Sequence, residues 1–120
     1  MARYRLSPLA EADLAHILAT SRRNWGVAGR RRYLAILAAA IRTVAAEPEG
    51  PATREREELR SGIRSFHLRY ARAEDSEVKV SRPVHVLYYR VVTPGLIEIV
   101  RVLHERMEPS RHLREVPEDE

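Results

Sequence analysis

The 120-residue sequence contains no cysteine and no long apolar run. The absence of cysteine excludes disulfide bonds, thiolate catalysis and cysteine-ligated zinc sites. No segment approaches the roughly 20 apolar residues that a membrane-spanning helix needs, and the N-terminal residues lack the apolar core of a secretory signal peptide. These absences predict a cytoplasmic protein that does not bind a membrane.

Catalytic and cofactor-binding motifs are also missing. The five histidines, His16, His67, His85, His104 and His112, show none of the spacings typical of zinc enzymes. The sequence has no G-x-S-x-G nucleophile motif and no phosphate-binding glycine loop. We therefore predict neither a metal site nor a cofactor.

The charge is strongly biased towards arginine. The net charge is +4, and 20 of the 21 basic residues are arginine. Four of the 17 acidic residues lie in residues 115–120, so residues 1–114, with 21 basic and 13 acidic residues, carry a net charge of +8. Two interpretations remain open: a solvated surface that reflects coding bias, or attraction to an anionic nucleic acid or acidic protein segment. We predict one domain over residues 1–114 and an acidic, disordered tail over residues 115–120.

The first half of the chain predicts a strand and two helices. Residues 3–6 alternate as a short strand, and Ser7-Pro8 is typical of a helix start. The helical pattern then stops at Trp25-Gly26, where Gly26 suits a left-handed helix end, and resumes from residue 27 to residue 46. We expect the two helices to form a hairpin that covers one face of a sheet.

The second half predicts a three-stranded antiparallel sheet, so the fold class is α+β. The strands are residues 63–70, 84–92 and 96–103, and Thr93-Pro94-Gly95 joins the last two. Residues 47–62 read as a connection with one possible helical turn at 54–60, residues 78–82 are expected to rejoin the sheet, and 105–114 are a polar exit segment. The hairpin of the last two strands is apolar on both faces, and two helices cover only one. The opposite face is therefore a candidate docking surface.

Four residues at the ends of the central strands suggest a possible chemistry. His85, Arg90, His104 and Arg106 could converge, so that imidazole moves the proton of an RNA 2′-hydroxyl while guanidinium stabilises the phosphate. Against this, His85 and Arg90 are five residues apart and project from opposite faces of a regular strand. RNA cleavage is therefore the alternative hypothesis, and no catalytic residue is assigned.

Several segments together resemble the ParE branch of the RelE/ParE toxin superfamily. They are YRLSPLAEADL (4–14), RRYLAIL (31–37), IRSFHLRY (63–70), RPVHVLYYRV (82–91) and IEIVRVLHERMEPSRHL (97–113). The resemblance implies the same α+β fold and a toxin of a type II toxin–antitoxin pair, which poisons DNA gyrase without catalysis. The related RelE branch cuts mRNA on the ribosome, but this chain matches only part of that catalytic set and has a single lysine, Lys79. The gyrase branch is therefore favoured.

The resemblance also implies partners and binding residues. A ParD-like antitoxin would form a hetero-oligomer by wrapping its C-terminal segment around the toxin. On physical grounds an amphipathic helix could fill the groove beside Leu14, Leu18, Tyr33 and Leu37, or a strand could extend the sheet. DNA gyrase is the implied target, and no sequence-specific nucleic-acid binding is expected. The residues predicted to contact the target are Arg82, Arg90, Arg101 and Arg106.

Overall fold

The computed structural model describes residues 2–71 and 82–117, which form a mixed sheet beside a long bent helix. This confirms the α+β class. The sheet has five strands in the order β1-β5-β4-β3-β2, in which β1 is parallel to β5 and the other pairs are antiparallel. In chain order the elements are β1 (Arg3–Leu6), α1 (Pro8–Ala46), β2 (Arg54–Glu55), β3 (Arg64–His67), a 3₁₀ turn (Leu68–Tyr70), β4 (His85–Thr93), β5 (Leu96–His104) and α2 (Pro109–Leu113).

The sheet contains two more strands than the three-stranded antiparallel sheet predicted from sequence. The predicted first strand is present, but it joins the sheet as an edge strand parallel to β5, with Arg3 opposite Leu96. β2 pairs with β3 inside the connection for which a helical turn was predicted. The strand predicted over residues 63–70 ends early, because residues 68–70 form a 3₁₀ turn. A two-residue strand is too short to show a period of two, and a pairing partner is not a property of local sequence. Residues 78–81, predicted to rejoin the sheet, lie outside the described residues.

The β4–β5 hairpin forms as predicted. Pro94 and Gly95 make the turn, and Gly95 has a φ of 83°, which favours glycine. The register shifts twice along the hairpin: Tyr88 pairs with Arg101 while Tyr89 pairs with Ile99, and a second shift lies between Val91 and Thr93. Adjacent residues of β4 still point to opposite faces, and Tyr88 and Tyr89 lie in the cores on opposite sides of the sheet.

The helix α1 begins and bends where the sequence predicts. The Ser7 hydroxyl accepts a hydrogen bond from the backbone N–H of Ala10 at 3.0 Å, and Pro8 occupies the first helical turn. Gly26 has non-helical angles, φ 74° and ψ −173°, but no loop separates the two halves, so the predicted pair of separate helices is instead one interrupted helix. A straight helix of 39 residues would measure about 58 Å, and the longest dimension of the molecule is 40 Å. The helix therefore bends sharply at Gly26.

Both faces of the sheet are covered by the chain itself. The larger core lies between α1 and the sheet, around Leu37, Phe66 and Tyr89. A second core lies on the opposite face, where Leu113 and Val116 are 2% and 3% exposed. The predicted open face is therefore wrong, because the segment 109–116 folds back onto it. The predicted tail boundary after Arg114 is wrong for the same reason, and residues 118–120 lie outside the described residues.

Beyond the end of β1, the side chains of Ser7 and α1 form hydrogen bonds with backbone groups at the edge of β5. The Ser7 hydroxyl donates to the carbonyl oxygen of Val100 at 2.8 Å, and the Asp13 carboxylate accepts from the N–H of Val102 at 3.0 Å. Asp13 also accepts from Nε and Nη2 of Arg101 at 2.8 and 2.9 Å. Arg101 in turn donates to the carbonyl of His112 at 3.0 Å, which ties the C-terminal segment to the same point. No described helix is long and apolar enough to cross a membrane.

We expect Asp13→Ala to lower the free energy of unfolding by about 3–5 kcal/mol, because it leaves the buried Arg101 guanidinium with only the more distant Glu115 carboxylate, at 3.5 Å. Arg5→Ala is the matched control. Its guanidinium is half exposed, and its partner Glu98 keeps two hydrogen bonds from Arg90, so we expect a loss below about 1 kcal/mol. Urea unfolding followed by circular dichroism measures both. Equal losses for the two variants would contradict a structural role for the Asp13–Arg101 pair.

Candidate functional site

A groove of about 730 Å³ opens between α1 and the ends of β4 and β5. We call it the histidine groove after the four histidines that line it, His16, His85, His104 and His112. Among the described residues, Asp13 is the one acidic residue of its lining, and that carboxylate is already bound to Arg101. The polar lining is therefore mainly cationic or imidazole. Its volume falls within the range of small-molecule and peptide pockets.

Tyr33 and His85 form a hydrogen-bonded pair in this groove. The Tyr33 hydroxyl accepts from the N–H of Val84 at 3.2 Å and lies 2.5 Å from Nδ1 of His85. Burial raises the pKa of the Tyr33 hydroxyl, so the hydroxyl stays protonated and donates a hydrogen bond to Nδ1 of His85. Burial, with smaller contributions from His104 and His67, lowers the pKa of His85 to about 4. His85 is therefore a neutral imidazole near pH 7, with its proton on Nε2.

Two further histidines lie beside His85. His85 pairs directly with His104 across β4 and β5, and the two rings meet edge to face with centroids 5.5 Å apart. Nδ1 of His104 accepts from the backbone N–H of Arg106 at 3.0 Å. On β3, Nε2 of His67 lies 2.9 Å from the Glu105 carboxylate, and this hydrogen bond lowers the pKa of Glu105. Of the alternative nuclease set, the structure thus brings the rings of His85 and His104 together, whereas Arg106 contributes its backbone N–H to His104 and its side chain is exposed.

Arg90, the fourth residue of that set, does not join them. Arg90 Nε and Nη2 donate to the Glu98 carboxylate at 3.0 and 2.6 Å. As predicted, Arg90 lies on the opposite face of β4 from His85, since His85 shares a face with Leu87 and Tyr89 in the larger core. The predicted nuclease set is therefore divided between the two sides of the sheet.

The four arginines predicted to contact the target also differ in environment. Arg82 and Arg106 are exposed. Arg101 is 7% exposed and bound to Asp13, so its predicted role in target binding is wrong: the guanidinium is needed inside the protein. No local sequence pattern signals that Asp13 is the partner of Arg101, which lies 88 residues away.

The residues predicted to bind the antitoxin do not form one surface. Leu37 is 1% exposed in the larger core and cannot contact a partner, which corrects its assignment. Leu14, Leu18 and Tyr33 are partly buried against that core. Tyr33 lines the histidine groove, whereas Leu18 lines a second depression. We call this depression the arginine groove; its lining is Ala15, Leu18, Ala19, Arg22, Arg23 and Arg30.

Trp25 is the functional candidate that the sequence did not single out. It was interpreted as the end of the first helix, yet its side chain is 72% exposed and stands at the bend. Within residues 2–71 and 82–117, no group of three or more histidines and acidic residues is placed to hold a metal ion. The surfaces that remain for function are therefore the two grooves and the bend between them.

Comparison with known proteins decides the family. The family described as the ParE toxin of the type II toxin–antitoxin system, parDE, matches residues 4–109. The chain belongs to the ParE toxin family. It is 39% identical over 111 residues to toxin ParE1 of Mycobacterium tuberculosis, covering 92% of this chain and 97% of that protein. It is 36% identical over 110 residues to toxin ParE1 of Caulobacter vibrioides, covering 92% and 96%.

The fold agrees with a solved structure of the same kind. A chain of the chromosomal ParDE system from P. aeruginosa superimposes with a TM-score of 0.63 at 17% identity, covering 87% of this toxin and 96% of that chain. The resemblance inferred from the sequence is thus confirmed. A ParE-type toxin belongs to a toxin–antitoxin system, and this implies an antitoxin as partner.

We expect the stability of the toxin to fall as the pH drops from about 6.5 to about 4. In that interval the unfolded chain protonates His85, whereas the folded protein does not, so protons favour unfolding. Because the ring keeps some contact with solvent, we expect a loss of about 2 kcal/mol. Thermal unfolding across this pH range measures it, with NMR to follow the His85 ring.

His85→Gln provides the matched comparison, since glutamine does not titrate. Its stability should decline less than that of the wild type over the same interval. If both proteins lose the same stability, or if the His85 ring titrates near its ordinary pKa of 6.5, the lowered pKa of His85 is disproved.

Proposed function

We propose that this toxin acts by binding DNA gyrase, without breaking a covalent bond, and that a ParD-like antitoxin neutralises it. Membership of the ParE family supports the target. The observation that carries the non-catalytic part is the position of Arg90, which is bound to Glu98 on the face of β4 opposite His85. The Arg90 guanidinium, one of the two in the predicted nuclease set, is therefore not placed to stabilise a phosphate beside the imidazoles.

The protonation state of His85 also argues against nuclease chemistry. A general base works best when its pKa lies near the working pH, and the pKa of His85 is about 4. Its Nδ1 already accepts the Tyr33 hydroxyl hydrogen. His85 is thus better suited to holding α1 against β4 than to moving a proton.

Purified toxin at saturating concentration is expected to abolish supercoiling by gyrase and to increase gyrase–DNA cleavage complexes. Adding the antitoxin should restore supercoiling, because it occupies the toxin. Agarose-gel supercoiling and cleavage assays measure both effects. Unchanged supercoiling and unchanged cleavage complexes would contradict the proposed target.

An mRNA endonuclease is the second candidate, because His85 and His104 face each other across two strands. Translating ribosomes supplied with the toxin are expected to keep their message intact. Cut message that disappears with His104→Ala and with Arg90→Ala would assign the nuclease activity instead. Cutting that persists in both variants would come from a contaminant and would leave the gyrase assay to decide.

The arginine groove is the surface that best fits the antitoxin. Its floor is apolar, formed by Ala15, Leu18 and Ala19, while three guanidiniums stand at its rim. Residues 14–46 contain six arginines and no acidic residue. An acidic amphipathic segment would bury its apolar side on Leu18 and place its carboxylates on the rim. We place the antitoxin there, reaching towards Leu14 and Tyr33.

The exposed arginines near the histidine groove are the proposed contacts to gyrase. Arg82 and Arg106 lie in solvent at the ends of β4 and β5. They keep the predicted role, whereas the buried Arg101 does not. On this proposal residues 1–114 act as a single toxin domain, to which residues up to Val116 contribute core contacts.

Leu18→Glu is expected to weaken antitoxin binding at least about tenfold, since it places a negative charge under an acidic partner. Val91→Glu is the matched control, because it makes the same change at a side chain that is 48% exposed on β4. It should change the affinity less than about twofold. Isothermal titration calorimetry gives the affinities, and thermal unfolding confirms that both variants are folded. Equal affinity for Leu18→Glu and the wild type would move the antitoxin site elsewhere.

A further inference from the structure

The bend of α1 forms a basic tip that neither proposed contact fully uses. We define the tip as residues 22–32; it carries five arginines, Arg22, Arg23, Arg30, Arg31 and Arg32, all of them exposed. Within residues 2–71 and 82–117, none of these guanidiniums forms an ion pair. Arg23 makes only a 3.3 Å contact to the Thr20 hydroxyl. Five positive charges thus stand in solvent within eleven residues.

An exposed aromatic ring stands in the middle of this charge. The side chain of Trp25, the one tryptophan of the chain, is 72% exposed, and Val27 beside it is 59% exposed. Leaving a large apolar side chain in water forgoes the free energy that its burial would contribute. The Cβ of Trp25 nevertheless packs closely against the backbone at Gly29, where an added Cβ would lie 2.2 Å from it. The backbone positions the ring at the tip and leaves its face open.

We propose that this tip binds single-stranded nucleic acid without sequence preference, with Trp25 stacked on a base and the arginines on phosphates. Nucleic-acid strands carry a regular series of negative charges, and every base offers a flat face to an aromatic ring. Guanidiniums on both sides of Trp25 would follow the backbone as it crosses the bend.

An acidic protein segment explains the tip less well. It would satisfy the rim of the arginine groove, but that groove does not include Trp25, Val27, Arg31 or Arg32. The nucleic acid uses all of these groups together. Because Arg22, Arg23 and Arg30 belong to both surfaces, antitoxin and nucleic acid would compete. The binding belongs to the toxin alone and does not depend on gyrase being its target.

The test uses the full-length toxin and an oligothymidine of about 12 nucleotides at about 50 mM salt. Binding is expected to quench the fluorescence of the single tryptophan. If all five arginines contact phosphates, the logarithm of the affinity should fall with the logarithm of the salt concentration with a slope of about −3.5. Anisotropy of a labelled oligonucleotide then measures variants, including Trp25→Leu, which we expect to bind about tenfold more weakly.

A charge-matched pair of double variants separates the tip from general attraction. Arg31→Gln with Arg32→Gln should weaken binding about tenfold and make the salt slope shallower by about 1.4. Arg111→Gln with Arg114→Gln removes the same charge from exposed positions near the C-terminus and should change the affinity less than about twofold. Thermal unfolding verifies that all variants are folded.

Four results would overturn the proposal. The first is the absence of fluorescence quenching at low salt, and the second is an equal loss of affinity in the two double variants. The third is quenching by polyglutamate of similar length that is as strong as that by the oligonucleotide, which would assign the tip to an acidic protein. A blue shift on anionic lipid vesicles with no response to the oligonucleotide would equally overturn it and assign a membrane surface. None of these results depends on the gyrase assay.

Discussion

The fold depends on the side chains that pair with the edge of β5 beyond the last residue of β1. Main-chain groups left there would be unpaired, and buried groups of that kind are costly. The Ser7 hydroxyl and the Asp13 carboxylate take the place of a neighbouring strand, while Arg101 neutralises the carboxylate. The same guanidinium reaches the carbonyl of His112. One buried ion pair therefore joins the helix, the sheet and the C-terminal segment.

The surfaces available for function follow from this joint. With its first turns held on β5, α1 runs past the sheet and turns back at Gly26, so that Tyr33 meets His85. The imidazole is kept neutral by burial, and its hydrogen bond connects the helix to the strand. The chain is consequently a rigid support that presents a groove on each side of a charged bend.

The arginines explain why composition was a poor guide to partners. A net charge of +8 over residues 1–114 did not distinguish a solvated surface from one that attracts an anionic partner. In the structure, Arg101 and Arg90 form ion pairs with carboxylates inside the protein, whereas the arginines around Trp25 are exposed to solvent together. Arginines spread over the surface would attract an anionic partner at many places, whereas this cluster attracts it at the bend of α1. Antitoxin and nucleic acid would then compete for the same cations.

Local signals in the sequence determined the strand at Arg3–Leu6, the Ser7 cap, the break at Gly26 and the β4–β5 hairpin, together with the family. Each depends on residues a few positions apart, where spacing, capping and turn chemistry act directly. The tertiary structure alone decided the parallel partner of β1, the cover supplied by Val116, and which arginines are free to bind. The physical reason is distance along the chain: Asp13 and Arg101 lie 88 residues apart, and no local pattern records that they meet.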